Sequence, residues 1–403
     1  MERDLYHKII GHLDKNEHTI ITGSRQTGKS TLLRQTADYC GKMNVPVVFL
    51  NLENKDILAE LEQSPLNLLK FLPDTDKKII VFMDEVQYLS DPSNFLKLIY
   101  DEYKNKIKII ATGSSAFYID RKFNDSLAGR KHLFFLPTCS FNEYLKFIGA
   151  NQLIDEINQI INKESYKSLV LQLLKKEYDN YIIYGGYPAV IIEKNIEDKI
   201  NILTDIRDSF IKKDILESGI KNEIEFYKLF RILAAQTGNL LNINELSKTL
   251  QIKHETVENY LYVLQKCFHI ALVRPYSKNI RNELTKMPKV YLLDTGMMNV
   301  LTNNFQPLDE KINKGNYWEN IYYRRIAELY GMDNINFWRT TSGNEVDFII
   351  HKTGKPSCAV EVKFSYDKIN EAKYKKFHED YPDIELSFAY YEPFSEDFFR
   401  LGE

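Results

Sequence analysis

The 403-residue sequence has few cysteines and no long apolar run. Its four cysteines are scattered, with no C-x-x-C pair and no Cys/His cluster. This pattern argues against a structural zinc site and favours a reducing cytosol over a disulfide framework. No apolar stretch of about 18 residues and no secretory leader is present, so we expect a cytoplasmic protein that does not enter a membrane.

The sequence also lacks a strong excess of either charge. Its net charge is −3, which excludes a nucleic-acid coat spread over the whole surface but leaves room for a local basic patch. Hydrophobic residues make up 44% and charged residues 27%, as in ordinary globular proteins. A chain of this length exceeds one hydrophobic core, so we expect two or three domains.

The most specific motif is a phosphate-binding loop at residues 23–30, which match G-x-x-x-x-G-K-S/T. The apolar run 18–22 before it predicts a buried strand, and residues 31–37 after it predict a helix. In that setting the lysine would reach the β- and γ-phosphates, and the serine hydroxyl would hold Mg²⁺. The sequence therefore predicts that ATP with Mg²⁺ is bound by Gly23, Ser24, Arg25, Gln26, Thr27, Gly28, Lys29, Ser30 and Thr31.

Further apolar, β-branched runs follow the loop and alternate with helical stretches. They predict an α/β fold with a buried parallel sheet, and they span residues 45–50, 79–83, 107–112 and 132–136. The run 79–83 ends in Asp84-Glu85, a Walker B pattern. Asp84 would hold the Mg²⁺ shell, and Glu85 would orient or deprotonate the attacking water.

Two further polar positions are predicted to serve hydrolysis. Ser114, just after the run 107–112, is expected to sense the γ-phosphate, with Ser115 as the alternative residue. The competing interpretation is that these serines form an ordinary turn without a role in hydrolysis. Arg130 is expected to act as an arginine finger on a neighbouring subunit of a homo-oligomer, with Arg121 as the weaker candidate. A solvated surface arginine remains the alternative for Arg130.

The middle of the chain has the pattern of a helix-turn-helix with a wing. Residues 241–250 and 254–267 predict two helices, and residues 270–273 predict a strand. The second helix carries Glu255 and Glu258, which repel phosphate. If DNA binds here, phosphate contacts would come from the basic residues of the following loop, namely Arg274, Lys278, Arg281, Lys286 and Lys289. The alternative is a spacer whose wing binds nothing.

The last third contains a carboxylate and lysine pattern. Glu361 and Lys363 share one face of a predicted strand because side chains alternate with period two. Asp347, on the preceding strand, can face the same side, and Glu319 on an upstream helix could add an acid. Such a set can hold Mg²⁺ and activate water against a phosphodiester. The alternative is a solvated strand face with alternating charges.

The order of six short motifs gives a family resemblance. The motifs lie at residues 23–30, 82–87, 112–115, 127–130, 141–144 and 185–188. In this order they resemble prokaryotic AAA+-type ATPases that carry a C-terminal restriction-endonuclease-like, PD-(D/E)xK, domain of uncharacterised function. The resemblance covers nearly the whole chain, and in such proteins Gly185-Gly186-Tyr187-Pro188 marks the end of a helical lid.

The resemblance implies a P-loop parallel sheet with helical lid over residues 1–195, a winged helix over 196–275 and an α/β nuclease-like domain over 276–403. It implies an ATP-hydrolysing enzyme coupled to a nuclease-like domain that acts on DNA with Mg²⁺. The alternative is a nucleotide-switched DNA- or protein-binding regulatory or signalling ATPase whose C-terminal domain does not cleave.

Overall fold

A computed structural model of the chain describes residues 2–113, 127–215, 218–277 and 279–400. Internal packing divides the chain into two compact units. Unit 1 comprises residues 1–139 and 266–268, and unit 2 comprises residues 140–265 and 269–403. The three-domain division at residues 195 and 275 stays a prediction. No helix among the described residues is long and apolar enough to cross a membrane.

In its described part, unit 1 is built around a five-stranded parallel sheet with the order β2-β3-β4-β1-β5. The strands are β1 His18–Thr22, β2 Val47–Asn51, β3 Ile79–Asp84, β4 Ile107–Gly113 and β5 Lys131–Phe135. The predicted buried parallel sheet is confirmed. Strand β4 lies between β1, which leads to the phosphate loop, and β3, which ends in Asp84.

Helices cover both faces of this sheet, which explains why its central strands are apolar at successive positions. In the described part of unit 1 the α-helices are α1 Leu5–Ile10, α2 Lys29–Lys42, α3 Lys55–Gln63 and α4 Pro92–Tyr103. Ile20 packs in the core beneath α3 and α4, whereas its neighbour Ile21 packs in the core beneath α1 and α2. Each such fully buried side chain contributes about 1.5–3 kcal/mol of transfer free energy.

The first part of unit 2 is helical. Its helices are α5 Phe141–Phe147, α6 Asn151–Asn162, α7 Leu171–Tyr184, α8 Pro188–Ile192, α9 Ile196–Ser209, α10 Glu223–Ala235, α11 Ile243–Leu250 and α12 His254–Lys266. A capping box of Ser140 and Glu143 starts α5, and the Asn242 side chain caps α11. The two helices predicted over 241–250 and 254–267 are confirmed.

A two-stranded antiparallel ribbon follows α12, formed by β6 Ile270–Val273 and β7 Lys289–Leu292. Helix α13 Ile280–Thr285 lies in the connection between them. The assignment of Lys289 to an exposed loop is therefore wrong: this residue begins β7 and is buried.

In the described C-terminal part of unit 2, a four-stranded mixed sheet has the order β11-β10-β9-β8. Its strands are β8 Ile335–Arg339, β9 Glu345–Ile350, β10 Cys358–Ser365 and β11 Glu385–Glu392. The accompanying helices are α14 Thr295–Thr302, α15 Lys314–Tyr330, α16 Lys375–Asp380 and α17 Asp397–Arg400. Strand β9 is antiparallel to β8 and β10, and β11 is parallel to β10.

The turn at Gly185 makes a close contact with the start of α14. Gly185 has φ +77°, and a Cβ there would lie 2.3 Å from Asp294 Oδ1 and 2.6 Å from Gly296 N. The Asp294 carboxylate accepts hydrogen bonds of 2.9 Å from Gly186 N and from Met297 N. Glycine at position 185 is thus required both by its backbone conformation and by a neighbour more than a hundred residues away.

Candidate functional site

The phosphate loop joins β1 to α2, as predicted. Lys29, the first residue of α2, is buried, and its Nζ donates hydrogen bonds of 2.8 Å to Gly23 O and Ser24 O. A Cβ at Gly23 would lie 2.2 Å from Leu136 O, so only glycine fits at the start of the loop. The loop carbonyls therefore hold the lysine ammonium at the helix N-terminus, where phosphates bind.

An arginine that the sequence analysis missed supports this loop. Arg3 is buried, and its guanidinium donates to Thr27 O at 2.6 Å and to Pro137 O at 2.7 Å. Thr27 in turn donates its hydroxyl to Ser24 O at 2.9 Å. No local pattern connects Arg3 with a loop more than twenty residues further on, so sequence alone gave no signal for this contact.

A serine, an aspartate and a threonine meet beside the loop. Ser30 Oγ donates to Asp84 Oδ1 at 3.0 Å, and Thr112 Oγ1 donates to the same oxygen. Asp84 ends β3, and Thr112 lies near the end of β4. Hydroxyl and carboxylate oxygens are the ligands that Mg²⁺ prefers. The residues therefore fit the expected ion, and Ser30 with Asp84 would hold it beside the nucleotide.

Glu85 is held in an unusual backbone conformation directly after Asp84. Its φ of 61° and ψ of 51° lie in the left-handed region, which costs a non-glycine residue about 1–3 kcal/mol. Glu85 N donates to Thr112 Oγ1 at 3.0 Å, and Gln87 Nε2 donates to the Glu85 carboxylate. Thr112 thus holds the backbone of the predicted catalytic glutamate, and Gln87 holds its carboxylate. Neither Thr112 nor Gln87 was assigned a role from the sequence.

Of the other predicted hydrolysis residues, Arg130 is the one that the structure describes, and it does not join this group. Ser114, Ser115 and Arg121 lie outside the described residues. Arg130 forms a two-point ion pair with Asp101 of α4, with Nε–Oδ1 at 2.7 Å and Nη2–Oδ2 at 3.1 Å. It precedes β5, whose first residue pairs with the first residue of β1. Arg130 therefore lies at the amino end of the sheet, away from its own phosphate loop.

A second cluster, here called the acid cluster, lies in unit 2 and consists of Lys289, Glu319, Glu345, Asp347, Glu361 and Lys363. The structure brings Glu319, Asp347, Glu361 and Lys363 close together. Asp347 Oδ2 accepts from Val362 N at 3.0 Å, and Glu361 Oε2 accepts from Asp347 N at 3.2 Å. Lys363 donates to the Glu361 carboxylate. The β9–β10 pairing thus places these groups on adjacent strands.

Lys289 lies at the centre of the acid cluster. Its Nζ is 2.6 Å from Glu345 Oε1, 2.8 Å from Glu319 Oε1 and 3.1 Å from Asp347 Oδ1. Its side chain is only 2% exposed. Tyr291, on the same face of β7, donates its hydroxyl to Glu319 Oε1 at 2.6 Å. The predicted contact of Lys289 with DNA phosphate is therefore wrong, because its charge is directed inward.

Burial and mutual repulsion shift the titration of these groups. Burial, with the nearby charge of Asp347, raises the pKa of both Glu319 and Glu361 to about 7. Burial opposes the charge on Lys289, but Glu319, Tyr291 and Asp347 outweigh it and raise the lysine pKa well above its ordinary value. Lys289 is therefore a permanent cation among these acids.

The acid cluster does not fit the Mg²⁺ expected from the sequence. Mg²⁺ needs oxygen ligands at about 2.0–2.1 Å in near-octahedral geometry. Among the described residues, no group of three or more His, Cys, Asp and Glu side chains is arranged to hold a metal ion. The space between Glu319, Glu345 and Asp347 is taken by the Lys289 ammonium.

Family comparisons divide the chain into three matched segments. Residues 15–145 match the model of a family described as AAA domain. Residues 175–308 and 314–397 match two families, each described as a domain of unknown function. The first segment, which contains the phosphate loop and the Ser30–Asp84 pair, is thus an AAA-type P-loop domain.

Similar proteins from other organisms extend over nearly the whole chain. An uncharacterised protein of Methanocaldococcus jannaschii is 25% identical over 394 residues, which covers 96% of this chain and 82% of that protein. An uncharacterised protein of Haemophilus influenzae is 24% identical over 399 residues, which covers 96% of this chain and 92% of that protein.

Solved structures give only a distant likeness. The Thermotoga maritima RuvB Holliday junction branch migration motor has 14% identity and a TM-score of 0.31, covering 63% of this chain and 81% of that one. The replication initiator DnaA bound to AMPPCP and single-stranded DNA has 15% identity and a TM-score of 0.33, covering 65% and 86%. TM-scores this low do not support conclusions about the whole chain.

Proposed function

We propose that the AAA-type P-loop domain of this chain binds and hydrolyses ATP with Mg²⁺, and that the bound nucleotide controls a C-terminal part that binds a partner without cleaving it. The observation that carries the first half is the hydrogen-bonded group of Ser30, Asp84 and Thr112 beside Lys29. The observation that carries the second half is the position of Lys289 among the acids that would otherwise hold a metal.

Each residue of the first group has a distinct task in this proposal. Lys29 neutralises phosphate charge at the helix N-terminus, and Mg²⁺ supplies further charge neutralisation between phosphates when bound. Glu85, one residue past Asp84, orients the attacking water or accepts its proton. Gln87 donates to one oxygen of the Glu85 carboxylate, which leaves the carboxylate further acceptor capacity for a water molecule.

Two substitutions separate binding from hydrolysis. Lys29→Ala should weaken ATP binding by about 10- to 100-fold, because charge-assisted hydrogen bonds contribute about 1.5–3 kcal/mol each. Glu85→Gln should retain ATP binding and lose turnover, because only activation of water is removed. A fluorescent nucleotide titration and a phosphate-release assay measure the two effects.

Lys42→Ala, at the far end of the same helix α2, is the matched control and should leave both quantities unchanged. Hydrolysis by Glu85→Gln at the wild-type rate would show that the Walker B assignment is wrong.

For the partner of unit 2, we propose DNA phosphates at a helix-turn-helix with a wing formed by α11, α12 and the β6–β7 ribbon. Arg274, Arg281 and Lys286 are exposed in the connection between the ribbon strands. Binding of duplex DNA should weaken as salt rises. The logarithm of the binding constant, plotted against the logarithm of the salt concentration, should fall with a slope of about −0.9 per neutralised phosphate. The double variant Arg281→Gln/Lys286→Gln should flatten that slope, whereas Lys176→Gln, at an exposed position on α7 outside this motif, should not. Affinity that is weak and independent of salt would count against DNA.

A nuclease is the second candidate for unit 2, favoured by the contact of Asp347, Glu361 and Lys363 on adjacent strands. The test is nicking of plasmid DNA with Mg²⁺ or Mn²⁺, with and without ATP, beside a Lys363→Ala variant. Nicking by the wild type that the variant loses supports cleavage. No nicking across metals and substrates excludes it.

A further inference from the structure

We propose that Lys289 is the resident cation of the acid cluster, so that the cluster is a metal-free ion-pair centre, and that removing this lysine converts it into a site for a divalent cation. The inference deepens the proposed non-cleaving role of unit 2. It also assigns a ligand class, a divalent metal ion, to the cluster once Lys289 is replaced.

The geometry around Lys289 Nζ is complete without a metal. A lysine ammonium has three N–H donors. Oxygens of three carboxylates lie 2.6, 2.8 and 3.1 Å from Nζ, and they belong to Glu345, Glu319 and Asp347. These separations are ordinary for charge-assisted hydrogen bonds. The contacts with Glu319 and Asp347 are hydrogen bonds and that with Glu345 is an ion pair, so carboxylates surround the ammonium of this 2% exposed side chain.

The charge around the cluster is also nearly balanced. Among the described residues, the four carboxylates of the cluster face two lysines, and Arg339 Nη1 lies 3.0 Å from Glu345 Oε2. With all four carboxylates ionised, three positive groups face four negative ones, and a proton on Glu319 or Glu361, whose pKa is about 7, brings the cluster to neutrality. A divalent ion added beside Lys289 would give the buried group an excess of positive charge, which burial disfavours.

The same oxygens cannot serve both cations. A divalent ion would bind Glu319 Oε1 and Asp347 Oδ1 at about 2.0–2.6 Å, which is the space that Nζ occupies. The backbone of Lys289 is held by its pairing with Val273 in the ribbon and with Leu240 in an isolated bridge, and its side chain is buried. Replacement of the lysine by an uncharged side chain is therefore the direct way to free the acids for a metal.

The position of Lys289 also gives the acid cluster a structural role. The lysine belongs to β7, whereas its partners belong to α15 and β9. The three ion pairs therefore tie the ribbon that follows α12 to the C-terminal sheet within unit 2. A metal-free centre of this kind acts as a joint between the proposed DNA-binding ribbon and the sheet.

The test compares the full chain as wild type, Lys289→Met, Asp347→Asn and the double variant Lys289→Met/Asp347→Asn. The readouts are thermal unfolding followed by tryptophan emission, with Mn²⁺ or with EDTA, and Tb³⁺ luminescence without nucleotide. Wild type and Asp347→Asn should respond equally to Mn²⁺. Lys289→Met should unfold at a lower temperature that rises with Mn²⁺, and it should gain Tb³⁺ emission that the double variant loses.

A Mn²⁺ response of the wild type that Asp347→Asn abolishes would overturn the inference and favour the nuclease. A folded Lys289→Met variant that gains no response to metal would overturn the claim that removal of the lysine creates a site for a divalent cation. If Lys289→Met does not fold, the comparison of the wild type with Asp347→Asn still decides whether the native cluster binds a metal. Lys289→Gln then takes the place of Lys289→Met in the test of whether removal of the lysine creates a metal site. Failure of the proposed ATPase would instead appear as absent turnover in the wild type.

Discussion

Ser30 Oγ donates a hydrogen bond of 3.0 Å to Asp84 Oδ1, which joins the phosphate loop to the end of β3. Thr112 extends this connection to β4, because its hydroxyl donates to Asp84 and accepts from Glu85 N. One buried hydroxyl thus positions both acids of the Walker B pair. The arrangement of the proposed ATPase site therefore depends on a threonine of β4 as well as on the phosphate loop.

Thr112→Val should lower kcat for ATP hydrolysis by about 10- to 100-fold and change the KM for ATP less. The substitution keeps the shape of the side chain but leaves Glu85 N without its acceptor, at a cost of about 1–3 kcal/mol. Steady-state kinetics measure this split. Thr36→Val is the matched control, since the buried Thr36 hydroxyl bonds only within α2, to Leu32 O. Equal losses in the two variants would show that Thr112 is merely structural.

Arg130→Ala should keep ATP binding but lose turnover if the chain assembles with itself. Arg130 lies at the amino end of the sheet, so it cannot reach the nucleotide of its own chain. Mixing Arg130→Ala with Lys29→Ala protein should restore part of the turnover, because the second protein supplies the arginine that the first lacks. A mixture with no more activity than either variant alone would leave Arg130 as a surface partner of Asp101.

Gly185→Ala should destabilise unit 2 by about 3 kcal/mol or more, because its Cβ would lie 2.3 Å from Asp294 Oδ1. Gly219→Ala is the matched control: its φ is +80° but no atom lies within 4 Å of the added Cβ, so only the conformational cost of about 1–2 kcal/mol applies. Both tryptophans, Trp318 and Trp338, belong to unit 2, so their emission reports its denaturation by urea. Equal losses would contradict the steric explanation.

His269 should make unit 2 sensitive to acid. Burial lowers the pKa of His269 from 6.5 to about 3, so between these values the unfolded chain takes up a proton that the folded chain does not. Stability should fall with pH below 6.5 by up to about 1.4 kcal/mol per pH unit from this residue. His269→Phe, which places a ring beside Phe210, should remove that part of the fall.

Urea denaturation at about pH 7.5 and pH 5.5 measures the difference between His269→Phe and wild type. His254→Phe, at an exposed position on α12, is the control and should leave the pH dependence close to that of the wild type. A pH dependence unchanged in His269→Phe would refute the assignment.

The sequence predicted best what local pattern determines. The bounds of β1 agree with the predicted strand 18–22, and β3 begins at the first residue of the predicted run 79–83, because a buried strand shows its burial in its own residues. The contact of Asp347 with Glu361 also follows from local pairing, since the two residues lie on neighbouring antiparallel strands. Motif and period-two alternation were sufficient for these features.

The sequence did not reveal which side chains contact a given charged residue in the folded protein. Lys289 follows other basic residues and was therefore assigned to a solvated loop, but its ion-pair partners lie 30, 56 and 58 residues further along the chain. One local signal was present: Lys289 and Tyr291 alternate on β7, so both point toward Glu319. The Arg3 contact with Thr27 carried no such signal.

The contact between Gly185 and Asp294 has a consequence for recombination between related proteins. A chimera joined anywhere between these two residues takes the glycine turn from one parent and its carboxylate partner from the other. Where the second parent has a bulkier residue in either place, the junction creates a clash that neither parent contains. Exchange of the C-terminal segment between relatives should therefore succeed only when residues 185–186 and 294–296 are transferred together.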